Sequence, residues 1–278
     1  MQRYLLNHLS AGEFIAVLMG VILCVALIIF YLSKRYLSDF MSSRNNTFTG
    51  YFLGGIITNY GFLLGFIIII LWQELYAVKN FIVEEAEYLS LLVYNMAAFP
   101  REVQNKISGG IEQYIKIIIQ EEWPLMQWGH VSEKAIPSLN NLFHIIQSYS
   151  PETTVEKVFY EKFVKNLNSV VEYRRKRLEY LGSSLIDTIR FMLIFGMLII
   201  LFLVSLLSSK SMKLKLLDII LVSGILSFNL GLALLLDYPL AGSISASPVS
   251  FTKGVLAQFN PENKQEKGNV ASISINKP

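Results

Sequence analysis

The sequence of 278 residues contains a single cysteine, Cys24, and only three histidines, His8, His130 and His144. One cysteine excludes an intramolecular disulfide framework and a cysteine metal cluster. The histidines do not have the spacing of metal ligands, and the sequence contains no glycine-rich phosphate loop and no nucleophile elbow. We therefore expect a protein that is not an enzyme and that holds neither a metal nor a cofactor.

Charged residues are also scarce, at 16% of the chain, and the formal net charge of +3 is too small to indicate nucleic-acid binding. The densest basic run, at 174–177, shortly precedes an apolar segment, where basic side chains usually contact anionic lipid head groups. Several glutamates are expected on solvated faces or in salt bridges, because their spacing is not that of a metal site. They are Glu84, Glu85, Glu87, Glu121 and Glu122.

Apolar residues, in contrast, make up 53% of the chain, and the mean hydropathy is +0.46. A soluble domain of this size is less apolar, so the composition indicates a membrane protein. Four charge-free stretches are long enough for helices that cross a bilayer. They are residues 14–33, 51–72, 191–209 and 219–236. The first is longer than the apolar core of a signal peptide, so we interpret it as a retained span.

The predicted fold is all-α, a polytopic membrane protein with four transmembrane helices and a helical region between the second and third. Five parts are expected. They are 1–50, with the N-terminus, first transmembrane helix and short loop; 51–99, the second transmembrane helix continuing as a stalk; 100–184, the helical region outside the membrane; 185–240, the third and fourth transmembrane helices; and 241–278, a tail that is polar and disordered from about residue 260.

Within the helical region, proline and glycine predict where helices break. The expected breaks are at Pro100, Gly109 and Gly110, Pro124, and Ser150 with Pro151. Ser150 is predicted to cap the last helix of the region, with Pro151 in its first turn. The sequence at 182–184 predicts the break before the third span.

The second span continues into polar sequence without a glycine or proline, so one helix is expected to run from Tyr51 to Leu89. In its apolar part, Gly61 and Gly65 are spaced like the small residues that allow transmembrane helices to approach closely. We therefore predict that these two glycines pack against neighbouring helices.

One face of this helix changes from aromatic to acidic along its length. Thr58, Phe62 and Phe66 share that face at helical spacing, followed by polar side chains. These are Gln73, Asn80, Glu84 and Glu87. If copies of the helix surrounded an axis, the first three residues would form a pore neck and the other four a wider vestibule. A hydrophobic constriction of this kind gates by dewetting.

The segment 61–66 resembles the neck motif of bestrophins, which has a similar pair of phenylalanines. The chain as a whole is similar to the bestrophin-like family catalogued as a domain of unknown function, and the shared positions stretch across most of the sequence. They are Trp72, Glu85, Ala86, Leu89, Tyr114, Glu122, Trp123, Pro124, Met126, Arg175, Arg177, Leu178, Leu236, Asp237, Pro239 and Gly242.

This resemblance implies a homo-oligomer, pentameric in bestrophins, that conducts inorganic ions across a lipid bilayer. It also implies that the helical region and both termini are cytoplasmic, which the distribution of lysine and arginine does not decide by itself. A bacterial inner membrane is the expected location. The acidic cluster that follows the fourth span in calcium-gated bestrophins is absent after Asp237, so calcium gating is not expected.

Two alternatives to a channel stay open on the sequence. In one, the protein is a non-conducting scaffold or sensor, and Trp123, Met126 and Trp128 form an exposed contact for a partner. Core packing of both tryptophans is the simpler interpretation. In the other, Asn59 and Asn229 are ligands in a transporter, although hydrogen bonds between helices also explain them. For a channel, the glutamates of the stalk favour cations.

Overall fold

The computed structural model describes residues 2–37, 46–209 and 211–260, and the tail predicted to be disordered lies outside these residues from position 261 onward. Every regular element within them is helical. The α-helices are α1 (Gln2–His8), α2 (Ala11–Tyr36), α3 (Asn46–Met96), α4 (Arg101–Ile117), α5 (Trp123–Gln127), α6 (Ala135–Gln147), α7 (Thr154–Glu179), α8 (Asp187–Leu206) and α9 (Met212–Leu236). A π-helical turn, Ile118–Glu122, joins α4 to α5, and two 3-10 helices, Pro248–Thr252 and Gly254–Phe259, follow α9.

Four of these helices, α2, α3, α8 and α9, are long and apolar enough to cross a membrane. The chain is thus an all-α, multi-pass membrane protein, as the sequence predicts. The first span begins a few residues before the predicted one because Ser10 caps α2. Its hydroxyl accepts from the backbone N–H of Glu13, whose carboxylate accepts in return from the N–H of Ser10.

The chain divides into two compact units, and α3 contributes to both. The membrane unit comprises residues 1–75 and 183–245, and the helical unit comprises 76–182 and 246–278. Because the break predicted at 182–184 falls between α7 and α8, it coincides with one of the boundaries between the units.

The core of the membrane unit is built from apolar side chains of α2, α3, α8 and α9. Tyr60 of α3 is buried there, and its hydroxyl donates to the carbonyl of Leu193 on α8 at 3.1 Å. This bond satisfies a polar group that would be costly in hydrocarbon. The ring of Tyr60 lies so close to Gly196 that a Cβ there would meet it at 2.9 Å, so only glycine permits this contact.

The helical unit has its own core, and two predicted breaks within it are wrong. Gly109 and Gly110 lie inside the continuous helix α4, where a Cβ on Gly110 would meet Leu142 at 2.6 Å. This glycine therefore provides space for a neighbouring helix and does not interrupt its own. Pro124 lies in the first turn of α5, where no backbone N–H is required, and marks a change from π-helical to α-helical geometry. The break at Pro100 is confirmed.

The start of α7 is also three residues later than the sequence predicts. Thr153, and not Ser150, is the N-cap, and its hydroxyl accepts from the N–H of Glu156 at 3.1 Å. The Glu156 carboxylate accepts in turn from the N–H of Glu152 and from the hydroxyl of Tyr149. These contacts hold residues 149–152 outside α7, which explains the later start.

Candidate functional site

Within the membrane unit, α3 has one buried face and one exposed face. Its buried side chains, among them Tyr60, Leu64 and Ile67, recur at three and four residues and join the core. Phe62 and Phe66 lie on the opposite side and are 67% and 64% exposed. The aromatic stripe predicted as a pore neck therefore has no packing role within a single membrane unit.

The other predicted residues of this part of α3 are also exposed or only partly covered. Thr58 is exposed, and its hydroxyl donates to the carbonyl of Gly54 at 2.8 Å, within the helix itself. A Cβ placed on Gly61 or Gly65 would meet no atom within 4 Å. These glycines make no close contact with another helix of the same chain, and their packing between copies stays a prediction.

The predicted polar residues continue the same face of α3 beyond the neck residues. Gln73 is exposed in the membrane unit; in the helical unit Asn80 and Glu87 are exposed, and Glu84 is half-buried. At helical spacing these four residues and the three neck residues fall within about 80° of arc.

Sequence reasoning missed two side chains on this face, Ile69 and Tyr76, which are 54% and 62% exposed. Ile69 lies seven residues after Phe62, and Tyr76 lies seven after Ile69, so the same periodicity identifies them. Trp72, one of the positions shared with the family, is also exposed on α3. The exposed face is thus more apolar than the sequence analysis proposed.

A second constellation lies in the core of the helical unit. We call it the ion cluster, and it consists of Glu85, Glu122, Arg174, Arg177 and Tyr114. Arg177 is fully buried and donates to Glu85 from Nε at 2.8 Å and from one terminal nitrogen at 3.1 Å. That nitrogen also donates to Glu122 at 3.0 Å. Two carboxylates therefore share one guanidinium.

The remaining members complete the ion cluster. Arg174 donates twice to Glu122, at 3.2 and 2.5 Å, and the Tyr114 hydroxyl donates to Glu85 at 2.7 Å. The other terminal nitrogen of Arg177 contacts the sulfur of Met126 at 2.8 Å. Two positive and two negative charges are thus balanced, which is the condition under which buried charges are tolerated.

Local structure places each of these side chains. Arg174 and Arg177 are three residues apart on α7 and so lie on the same helical face. Glu122 is the last residue of the π-helical turn, and turns of this kind interrupt the regular spacing of α-helical side chains. Tyr114 comes from α4 and Glu85 from α3. Four helical segments are therefore joined by polar contacts at one point.

The environment of the ion cluster shifts the pKa values of Arg177 and Tyr114. Burial lowers the pKa of the Arg177 guanidinium, but the charges of Glu85 and Glu122 outweigh this effect, and the pKa lies above its usual value. Burial and the charge of Glu85 raise the pKa of the Tyr114 hydroxyl well above its usual value. Tyr114 therefore remains a hydrogen-bond donor at any physiological pH.

These contacts correct the prediction that the basic run at 174–177 contacts lipid head groups. Arg174 and Arg177 are buried in the ion cluster, whereas Arg175, predicted from the family pattern, is exposed. The salt bridges expected of Glu85 and Glu122 are confirmed, as is that of Glu121 with Lys134. Within the described residues, no group of three histidine, cysteine or acidic side chains is placed to bind a metal.

The two tryptophans near the ion cluster differ from each other. Trp123 is buried, with its ring 5.4 Å from the guanidinium carbon of Arg177 and 6.5 Å from the ring of Phe251. Trp128 is 44% exposed, so the expectation that it fills the core is wrong. Of the neighbouring positions shared with the family, Ala86 is buried and Pro124 is exposed.

A second polar centre, which we call the Asp237 hub, lies in the membrane unit just after α9. One carboxylate oxygen of the fully buried Asp237 accepts from the N–H of Leu185 at 2.8 Å and from the hydroxyl of Ser183 at 2.7 Å. The other accepts from Arg190 at 2.7 Å and from Gln2 at 3.2 Å. Through these hydrogen bonds, the carboxylate of Asp237 connects the end of α9 to α1, to α8 and to the segment before α8.

Two shared positions just beyond the hub have a conformational role. Pro239 is buried, and Gly242 has a φ of 86°, a region that favours glycine. The N–H of Gly242 donates to the side chain of Asn7 at 2.9 Å, and a Cβ at this position would meet Leu6 at 3.1 Å. Any other residue would therefore be strained and crowded against α1.

Comparison with known proteins identifies the family of the chain. A family model described as a Bestrophin-like domain matches residues 20–251, a segment that contains α3, the ion cluster and Asp237. Neither a search of curated proteins nor a search of solved structures returns a match. Since the matched segment is more than half of the sequence, this membrane protein belongs to the bestrophin-like family.

Proposed function

We propose that this protein is the subunit of an oligomeric ion channel whose hydrophobic neck is formed by Thr58, Phe62 and Phe66. The observation that carries the proposal is the exposed aromatic stripe of α3, which lies opposite the buried face of the same helix. Two large aromatic side chains four residues apart are left uncovered by the chain's own core. Copies of α3 around an axis would bring these side chains together as the lining of a pore.

The physical basis of gating would be the wetting of this constriction. A short pore segment lined by phenylalanine excludes water, and an ion cannot pass until the segment hydrates or widens. Ile69, on the same face, would lengthen the apolar constriction by about one turn. Gln73 then supplies the first polar group beyond it.

Replacing Phe62 and Phe66 together by alanine is expected to raise the ion current severalfold. The reason is that the loss of two phenyl rings per subunit widens and hydrates the neck. The measurement is the current through planar bilayers at equal amounts of reconstituted protein.

A matched control is the double replacement of Phe191 and Phe195 by alanine. These residues have the same spacing and are 66% and 54% exposed, but they lie on α8. This control is expected to conduct like the unmodified protein. Equal currents from all three proteins would contradict the neck, and silence of all three under varied ions and voltages would contradict conduction.

For the choice of ion, we propose a preference for cations. Glu85 is neutralised within the ion cluster, so the charge of the vestibule face comes from Glu84 and Glu87, which are opposed by Lys79. A net negative lining attracts cations. Reversal potentials in asymmetric salt decide the question, and neutralising both glutamates with glutamine should reduce the cation preference.

The assembly and orientation are part of the same proposal. We propose a pentamer in a bacterial inner membrane, with the helical unit in the cytoplasm, as the resemblance to bestrophins implies. A particle image of the detergent-solubilised protein with five copies around α3 would support it, whereas a monomer or dimer would contradict the pore. Protease accessibility of the helical unit in oriented membrane vesicles tests the orientation.

A non-conducting scaffold or sensor is the second candidate, and the exposure of Trp128 favours it. Of the three residues first considered for a partner contact, Trp123 and Met126 are buried, so the contact would depend on Trp128. A photo-crosslinking residue at position 128 should then yield an adduct with another protein in native membranes. Adducts with the protein's own copies alone would exclude the scaffold.

A further inference from the structure

A cavity of about 250 Å³ lies in the membrane unit where the end of α2, the segment after α8 and the start of α9 meet. Two lysines, Lys34 and Lys215, line it together with Ser208, Ser209 and Ser211. Of the eight described side chains that line it, five thus carry an ammonium or a hydroxyl group. Such a set of donors suits the oxygen atoms of an anion.

Lys215 is held rigidly at the wall of this cavity. It is only 4% exposed, and its ammonium donates to the carbonyls of Val204 and Leu207, each at 2.5 Å. The ring of Phe30 lies 5.7 Å away. Among the described residues no carboxylate forms an ion pair with Lys215, although Asp218, one turn later on α9, interacts with it electrostatically. A fixed positive charge is therefore built into the wall.

The second lysine and the serines face the same space. Lys34 is exposed and has no salt bridge within the described part of the chain. The hydroxyl oxygen of Ser211 accepts from the N–H of Leu214 at 3.2 Å, which leaves its proton available for an acceptor. Among the described residues that line the cavity, the two charged ones, Lys34 and Lys215, are both basic, so its lining is positive.

The position of the cavity along the spans indicates the source of the anion. Lys34 follows the last uncharged residue of the first span, and α9 begins just after the serines, so the cavity lies where hydrocarbon gives way to head groups. Phospholipid phosphates are concentrated at this level. Met212, which lines the cavity, and Tyr31, one turn before Lys34 on α2, present exposed apolar surface, as contact with acyl chains requires.

We propose that this cavity binds the phosphate of an anionic phospholipid. Lys34 and the hydroxyls of Ser209 and Ser211 contact the phosphate oxygens, and Lys215 supplies a fixed charge behind them. Lysine side chains at the level of the head groups attract anionic phospholipids electrostatically on either side of a membrane. The proposal does not depend on whether the protein conducts ions.

The test is native mass spectrometry of the full-length, detergent-purified protein titrated with phosphatidylglycerol. Lys34→Gln is expected to weaken lipid binding about fivefold, because a basic residue beside an anionic lipid contributes about 1 kcal/mol. Ser209→Ala should weaken it in the same direction. Lys213→Gln is the matched control, since Lys213 is exposed at the start of α9 but does not line the cavity.

Three further outcomes distinguish binding of a phospholipid from diffuse electrostatic attraction and from binding of free phosphate. Diacylglycerol with the same acyl chains lacks the phosphate, and its binding should be the same in the Lys34 variant and the unmodified protein. If Lys213→Gln weakens phosphatidylglycerol binding as much as Lys34→Gln, the attraction is diffuse and the proposal is overturned. If inorganic phosphate displaces the lipid at equal concentration, the site is one for free phosphate and the lipid assignment is overturned.

Discussion

Replacing Arg177 by methionine is expected to lower the free energy of unfolding of the helical unit by about 3–5 kcal/mol, the usual cost of removing one partner from a buried ion pair. The change leaves Glu85 with the hydroxyl of Tyr114 as its remaining partner in the ion cluster. A buried carboxylate without a counter-charge is strongly destabilising. Chemical denaturation in detergent micelles, followed by circular dichroism, measures the loss.

Two further variants test whether an unpaired buried charge causes this loss of stability. Arg175→Met removes the neighbouring arginine, which is exposed, and should change the free energy of unfolding by about 0.5 kcal/mol or less. Arg177→Met combined with Glu85→Gln should recover part of the loss, because the neutral amide still accepts from Tyr114. If the double variant were as unstable as the single one, an unpaired charge would not be the cause.

Replacing Asp237 by asparagine is expected to lower the free energy of unfolding of the membrane unit by about 3 kcal/mol. All four of its partners, Gln2, Ser183, Leu185 and Arg190, are donors. An amide has one acceptor oxygen, and its NH₂ group would face donors on the other side. Arg190 would also lose its buried counter-charge.

The control for the Asp237 variant removes the other carboxylate that pairs with Arg190. Asp187 pairs with Arg190 at 3.1 Å, but its side chain is 97% exposed. Asp187→Asn should therefore change the free energy of unfolding by about 0.5 kcal/mol or less. Thermal unfolding in detergent, followed by retention on size-exclusion chromatography, compares the two variants. Equal losses would show that burial of Asp237 is not what makes its contacts strong.

The ion cluster shows why part of the site was not predictable. Glu85 and Arg177 are 92 residues apart in sequence, and Glu122 and Arg177 are 55 apart. No local pattern connects them, and a basic run before an apolar span is equally typical of contact with lipid. The spacing of Arg174 and Arg177 did contain a signal, since residues three apart share a helical face. Only the packing of α3, α4 and α7 shows which partners that face meets.

The aromatic face of α3, in contrast, was predictable from the sequence. Its periodicity is local, so the sequence could place Phe62 and Phe66 on one side of a helix before any packing was known. The missed residues Ile69 and Tyr76 follow the same spacing. What the sequence could not supply is which side of α3 is buried, because both sides of a membrane helix are apolar.

The sequence by itself determined that this is an all-α membrane protein with four spans, because hydrocarbon requires long, charge-free helices and these are visible as runs of residues. It also identified the family. The tertiary structure decided that Arg174 and Arg177 are core residues, that Asp237 fastens several segments together, and that Phe62 and Phe66 are left uncovered. These properties depend on contacts between residues distant in sequence, where the requirement to pair every buried charge selects partners that no local pattern reveals.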